Sequence, residues 1–299
     1  MDDDPIKGHE ARVRAVDPLV ADQGALVVRE HDVPLEVPGG VGLVNVDRLD
    51  PGSLQAAWSP LIVHRLRARV SGPDPQKALG ALLDRWLEMP RGDEPEQALS
   101  VVWPSRDTVP VRALAVRGFA PTVAVSVHRL RPHDAPAPPA SPVKIRAAGQ
   151  GDVDTVSAMY ERLAAFDAQF GWVTPRPSTP DRIRESVAGE VLPLEWCWLA
   201  EVDGEPVGCV IVEPPVRARW ISGWVNDAPV AYLGVMYVEP PARGRGVGAA
   251  LTEVAHAHAA AEGVSSVLLH HALPNPLSTP FWARRGYRPL LTQWVRHLT

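Results

Sequence analysis

Apolar positions along this chain recur with strand spacing in some stretches and with helical spacing in others, and the two patterns alternate. Val235, Met236, Tyr237 and Val238 form a short β-prone run. Pro240 and Pro241 end it, because proline brings no N–H to a sheet ladder. A glycine-rich loop follows, and residues 249–263 then carry a helical pattern. Val247, Ala250, Leu251, Val254 and Ala261 fall near one face, and Gly263 is placed to end the helix. Residues 266–270 read as the next strand. Upstream, residues 143–148 read as a strand, and a helix is expected from Asp152 as N-cap, with Val153, Val156, Tyr160 and Leu163 on one face. Residues 196–212 read as a hairpin turning at Asp203 and Gly204. That register sets Cys209 opposite Trp198 and puts Cys197 and Cys209 on opposite faces, as free buried thiols. Residues 170–195 are irregular, broken by Pro175, Pro177 and Pro180, with a short helix expected from about Asp181. Residues 214–229 form a long connection holding Arg217, Arg219, Trp220, Trp224, Asn226 and Asp227, which either grips a ligand or packs between domains.

The pattern occurs twice. Residues 133–142, within a proline-rich run that starts at Arg131, read as an extended linker. An offset of 168 lays Ala115, Gly118, Phe119 and Pro121 on Ala283, Gly286, Tyr287 and Pro289. The same offset lays Gly80, Ala81 and Leu83 on Gly248, Ala249 and Leu251, and Val127 and Leu130 on Val295 and Leu298. One ungapped offset through both regions indicates an internal duplication of an α/β unit. Strand-like runs at residues 26–28 and 41–46 open the first copy. The division expected is residues 1–132, a linker at 133–142, and residues 143–299.

Composition narrows the partners. A chain of 299 residues suits two domains, and a formal net charge of -5 gives no bulk attraction to nucleic acid or anionic membrane. The opening Met-Asp-Asp-Asp lacks the features of a secretory signal, and no apolar run is long enough for a membrane helix, so the cytoplasm is the expected compartment. His256 and His258 lie on the expected helix without Cys or carboxylate partners at ligand spacing, and no metal is expected.

The loop after Val238 carries the chemistry. Glycines at a helix N-terminus let unpaired backbone amides approach an anion, and the helix dipole favours negative charge there. The spacing of Gly244, Gly246 and Gly248 is neither a P-loop nor a dinucleotide fingerprint. The run from Arg243 through Gly246 to Gly248 resembles the coenzyme A pyrophosphate loop of the GCN5-related N-acetyltransferases (GNAT). Asn275, Phe281, Gly286 and Tyr287 match a second block of that family, in the right order and with a strand between. The resemblance covers residues 143–299. It implies an α/β fold of mixed α+β type: two GNAT-like domains, each a central mixed, mostly antiparallel sheet flanked by helices.

It further implies an N-acetyltransferase that moves an acetyl group from acetyl-coenzyme A to a primary amine of a small molecule or peptide. Met236, Tyr237 and Val238 would contact the pantetheine arm, and a backbone N–H of that strand would meet the developing oxyanion. Arg243, Gly244, Arg245, Gly246, Val247 and Gly248 would hold the pyrophosphate. Asn275, Ser278 and Trp282 would reach the coenzyme from the other side. The family's usual acidic tyrosine falls on Trp282, whose indole is no proton-transfer acid at neutral pH. Tyr232, Tyr237 and His271 are therefore the catalytic candidates, with His270 beside them; adjacent strand residues face opposite ways, so at most one of the two histidines is expected to face the cleft. The region around Phe166, Asp167, Phe170 and Trp172 would line the acceptor side.

In the first copy Pro75, Gln76 and Ala78 stand where the second has Arg243, Gly244 and Gly246, and Asp107 stands for Asn275. That copy is expected to be degenerate and to cover a sheet edge or shape the cleft. Two alternatives stay open: an enzyme like mycothiol synthase, whose layout of an eroded first half before a working second half is similar, and a non-catalytic acyl-coenzyme A-binding regulatory protein. Protein or histone acetylation fits the charge, but no peptide-docking signature is present. The chain is expected to act as a monomer or homodimer.

Overall fold

The computed structural model describes residues 4–130 and 143–298. The expected linker at 133–142 lies outside the described residues. The first half runs α1 (Pro5–Val16), β1 (Val33–Val37), β2 (Gly40–Arg48), β3 (Ile62–Val70), α2 (Pro75–Leu87), β4 (Gln97–Pro104), α3 (Val111–Ala115) and β5 (Ala120–Arg129). The second runs β6 (Lys144–Ala147), α4 (Val153–Asp167), α5 (Thr179–Ser186), α6 (Leu192–Leu194), β7 (Trp196–Val202), β8 (Glu205–Glu213), α7 (Arg219–Ser222), β9 (Val230–Val238), α8 (Val247–Ala261), β10 (Ser266–Ala272), α9 (Ser278–Arg284) and β11 (Arg288–Leu298). The expected mixed, mainly antiparallel architecture with flanking helices is what the chain forms. The two sheets, however, are one: eleven strands in the order β1-β2-β3-β4-β11-β5-β10-β9-β8-β7-β6.

The join is an exchange of last strands. β5 pairs antiparallel with β10, and β11 pairs antiparallel with β4. Between them β5 and β11 pair with each other. The offset of 168 converts one outer ladder into the other: Ser266↔Arg129 becomes Ala98↔His297. In the central ladder Arg288↔Val127 becomes Val295↔Ala120, and Thr292↔Ala124 maps onto itself. A local twofold therefore passes by Thr292 and Ala124. β3 falls on β9 at the same offset, and α3 falls within α9. Each half thus completes its sheet with the other's final strand, so the edges that β4 and β10 would otherwise expose are covered.

Helices close both faces. α8 lays Val247, Leu251, Ala255 and Ala259 onto Val210, Leu233 and Leu269. α2 lays Leu79, Leu82, Leu83 and Trp86 onto Leu66, Leu99 and Trp103. Leu251 is wholly buried, and its truncation to alanine would cost about 2–5 kcal/mol. α4 and α5 cover the opposite face of the second half through Val156, Met159 and Ile183.

Several expectations are corrected. β9 begins at Val230, not near Val235, and α7 lies inside the connection before it. Residues 26–28 pair with no strand, and Val27 and Val28 are exposed. Asp152 is the N-cap of α4 as expected, but its carboxylate makes no capping bond to that helix; it accepts from the Gly149 N–H at 2.8 Å and binds Arg146. Asp203 and Gly204 do form the hairpin turn, both with positive φ. A register shift between Ala200 and Glu201 then moves Cys209 opposite Leu199. Cys197 and Cys209 consequently share one face and one apolar cluster, as free buried thiols. The bulge is the cause, since one extra residue reverses which side every later residue faces. Among the described residues no helix is long and apolar enough to cross a membrane, and no group of three or more His, Cys, Asp or Glu is placed to hold a metal ion.

Candidate active site

β9 and β10 are parallel neighbours for only three residue pairs, from Val230↔Ser266 to Tyr232↔Leu268. Beyond these the strands part, while β9 stays paired on its other side to β8 through Val238↔Gly208. The remaining length of β9 is left with one open edge. A cleft of about 1310 Å³ opens there and runs from the glycine loop to the first half, with walls from both halves. Gly234 lies at its centre. The ladder skips from Val235↔Ile211 to Leu233↔Val212, so Gly234 has no cross-strand partner. A side chain there would meet the Tyr232 ring at 3.4 Å. The sequence reading missed Gly234; a glycine interrupting a β-prone run was the available signal.

At one end of the cleft Gly244 and Gly246 have φ of 74° and 86°, values that favour glycine. Gly246 is the N-cap of α8, and Ala250 makes the bond back to it, which leaves the first-turn amides without intrahelical partners. Gly248 packs closely: a Cβ would lie 3.2 Å from the Phe281 ring. Arg243 donates to the Val238 carbonyl at 2.9 Å and sits over the Phe166 ring at 5.4 Å. Arg243, Gly244 and Gly248 line the cleft, with Met236, Tyr237 and Val238 along its floor. Arg245 and Val247 instead line a separate hollow of about 330 Å³ with Val143 and Val207. Gly246 borders neither cavity.

The facing wall carries Asn275, Ser278, Phe281 and Trp282. The Asn275 side chain accepts from the N–H groups of Leu277 and Ser278 and donates to Asp167 at 3.2 Å, so it shapes the turn into α9. Burial pushes the Asp167 carboxyl up to about 6, against the Asn275 hydrogen bond. Ser278 Oγ is buried with no hydrogen-bond partner, an orphan polar atom at the cleft that a ligand would satisfy. Trp282 is packed edge-on to Tyr287 within the core beneath α8, with only an edge on the cleft.

The catalytic candidates separate. Tyr232 Oη lies 3.0 Å from His270 Nδ1, and burial raises the tyrosine while holding His270 down to about 4, so the pair is neutral at physiological pH. His271 faces the other way, between Ser126 at 3.1 Å and Thr279 at 3.3 Å, and burial lowers it too. Both histidines nonetheless line the cleft, contrary to the expectation of at most one. The cleft passes through the sheet where the strands part, so both faces of β10 border it. The Tyr237 hydroxyl donates to Glu239 at 3.2 Å. Glu213, which sequence reasoning did not single out, lines the cleft beside Tyr232, its cross-strand neighbour. Burial raises its carboxyl, and the Trp220 indole donates to it at 2.9 Å.

The equivalent place in the first half is filled by the chain itself. Val70 stands at the offset position of Val238; its N–H donates to His9 and its carbonyl accepts from Arg12, both on α1. Arg12 also pairs at 3.0 Å with Asp107, the counterpart of Asn275. α2 starts at Pro75, without an open glycine loop, and the Asp74 carboxylate caps the Lys77 N–H at 2.9 Å.

Residues 162–287 match the family model described as the Acetyltransferase (GNAT) family. That match identifies residues 162–287 as a GNAT acetyltransferase domain, of a family whose general chemistry is acyl-coenzyme A-dependent acetyl transfer. No curated protein matches the chain. The fold is similar to that of a GCN5-related N-acetyltransferase from Sphaerobacter thermophilus, at 19% identity over 87% of this chain and 76% of that one, with a TM-score of 0.54. Weaker likenesses are to a GCN5-related N-acetyltransferase from Kribbella flavida (14% identity, 99% and 95% coverage, TM-score 0.46) and to a predicted acetyltransferase solved with acetyl-CoA from Clostridium acetobutylicum (16% identity, 49% and 90% coverage, TM-score 0.39).

Proposed function

We propose that the chain is a cytoplasmic N-acetyltransferase that moves an acetyl group from acetyl-coenzyme A to a primary amine, with one working site, in its second half. The observation that carries this reading is the open edge of β9, which shares one cleft with Arg243, Gly244 and Gly248 of the glycine loop that opens α8. A strand-like ligand arm can pair along Met236 and Val238, a diphosphate can meet the first amides of α8, and Ser278 Oγ supplies an unused donor. The donor supplies an activated acetyl carbon. The amine nitrogen bonds to that carbon, the carbon–sulfur bond breaks, the coenzyme leaves as its thiol, and the ammonium's proton is released. Tyr232, backed by His270, holds a proton beside the strand bulge for the leaving sulfur. The first half is a degenerate copy of the same unit. α1 fills its slot, and its contribution is the far wall of the cleft.

Transfer is tested by following thiol release from acetyl-coenzyme A across a panel of primary amines. Amine-dependent release, reduced on the order of 10²-fold in Tyr232→Phe with acetyl-coenzyme A affinity unchanged, is the expected result. Trp282, at the family's usual tyrosine position, favours one other reading: coenzyme binding without turnover. Tight binding with no amine-dependent release across the panel would establish that reading instead.

A further inference from the structure

The end of the cleft away from the glycine loop has its own chemistry. The acid that lines it there is the half-buried Glu213, and among the described residues no cation lies within ion-pair distance of it. Arg217, the nearest candidate, pairs with Glu190 and Glu195 instead. Aromatic rings surround that carboxylate. Trp220 bonds it through the indole N–H, lies 4.8 Å from the Tyr232 ring, and remains 52% exposed where it borders the cleft. Tyr160 lines the same cleft and stacks at 5.7 Å on Trp58 of the first half. A carboxylate ringed by aromatic faces is the arrangement that recognises an organic ammonium. The far wall differs. There the first half contributes Arg48 and Arg65 against one acid, Asp47, which Arg65 binds. Arg48, which also lines the cleft, pairs with Glu94 at 2.8 Å. The rest of that wall is apolar, with Leu49, Leu54 and Val125.

We propose that the acceptor is a monoamine: one primary ammonium held by Glu213 between Tyr160, Trp220 and Tyr232, on an apolar body lying along the first half, whose acids Asp47 and Glu94 are already taken by Arg65 and Arg48 and leave a second cationic end without a partner. This rests on the acetyltransferase reading. It gives the first half a function in that reaction, the refusal of polycations such as polyamines and lysine-rich peptides. The single carboxylate satisfies a single ammonium, and a second would find no free acid at the opposite wall, where Arg65 holds Asp47 and Arg48 holds Glu94.

The test is calorimetric titration of the full chain with 2-phenylethylamine and with spermidine, each with and without saturating coenzyme A. 2-Phenylethylamine is expected to bind at least about 10-fold more tightly than spermidine. Glu213→Gln keeps shape and removes charge; it should weaken 2-phenylethylamine by about 10-fold or more and leave acetyl-coenzyme A affinity within about twofold. Arg48→Glu, at an exposed position, should narrow the gap between the two amines at least about threefold. Equal or tighter binding of spermidine, no binding of 2-phenylethylamine, or an unchanged affinity in Glu213→Gln overturns the proposal. The two readings fail separately. Lost amine selectivity with acetyl-coenzyme A titration intact sinks only this inference, and absent acetyl-coenzyme A binding with amine binding intact sinks the acetyltransferase reading and leaves an amine site that is not an acceptor site.

Discussion

Arg12→Ala tests why the first half has no coenzyme slot. Arg12 joins α1 to the place where β3 and β4 part, with 19% of its side chain exposed, and it pairs with Asp107, which is 1% exposed. It is the cation that Asp107 pairs with among the described residues, and it also satisfies the Val70 carbonyl. Truncating one partner of such a pair strands a charge in a site that excludes water, a loss of about 3–5 kcal/mol. Arg12→Met with Asp107→Asn removes both charges and installs the asparagine that stands at the counterpart position, Asn275. That double variant should recover about half of the loss or more. Urea unfolding followed by tryptophan fluorescence reads both changes as shifts of the midpoint. The reasoning is refuted if Arg12→Ala costs less than about 1 kcal/mol, or if the double variant is no more stable than the single one.

Gly248→Leu should leave stability within about 1 kcal/mol, because the helix gains what the displaced Phe281 ring costs, yet weaken acetyl-coenzyme A by about 10-fold or more. Calorimetry and urea unfolding on the same sample separate the two effects, and an unchanged affinity would remove the glycine loop from the site. Asp167 is protonated up to about pH 6 in the fold but ionises lower when unfolded, so the native state binds the extra proton and stability falls as pH rises from about 4 to 6. Asp167→Asn should flatten that part of the stability profile; a profile that keeps its slope would place the titration elsewhere. Glu213 acts with the same sign: its raised carboxyl makes stability fall as pH rises from the ordinary glutamate range upward, and Glu213→Gln should flatten that fall in thermal unfolding against pH.

Much of the fold was legible because its signals are local. The run at Val235 to Val238, the prolines after it and the glycines before α8 each constrain a few adjacent residues, and the offset of 168 needs only comparison of the chain with itself. The strand exchange was not legible. β5 and β11 carry equivalent patterns, so nothing in either sequence says whether each closes its own sheet or its neighbour's; the choice is settled by pairing across the local twofold at Thr292 and Ala124. The hairpin was placed correctly but misread by one residue, since the bulge near Ala200 leaves no mark in the alternation. At the site, the glycine loop announced itself by composition, whereas Glu213 did not. Its place in the cleft comes from Tyr232 across the sheet and from Trp58 brought over by the other half. The filling of the first slot by α1 is a contact across about sixty residues of chain, between Arg12 and Val70, and no local pattern encodes it.

The central claim is one coenzyme site per chain, at the parting of β9 and β10. Calorimetric titration of the full chain with acetyl-coenzyme A tests it most directly. The account predicts a stoichiometry of one, with affinity weakened about 10-fold or more by Gly248→Leu and unaffected by Arg12→Met with Asp107→Asn. A stoichiometry of two, or an affinity unchanged in Gly248→Leu and lost in the first-half variant, would contradict it.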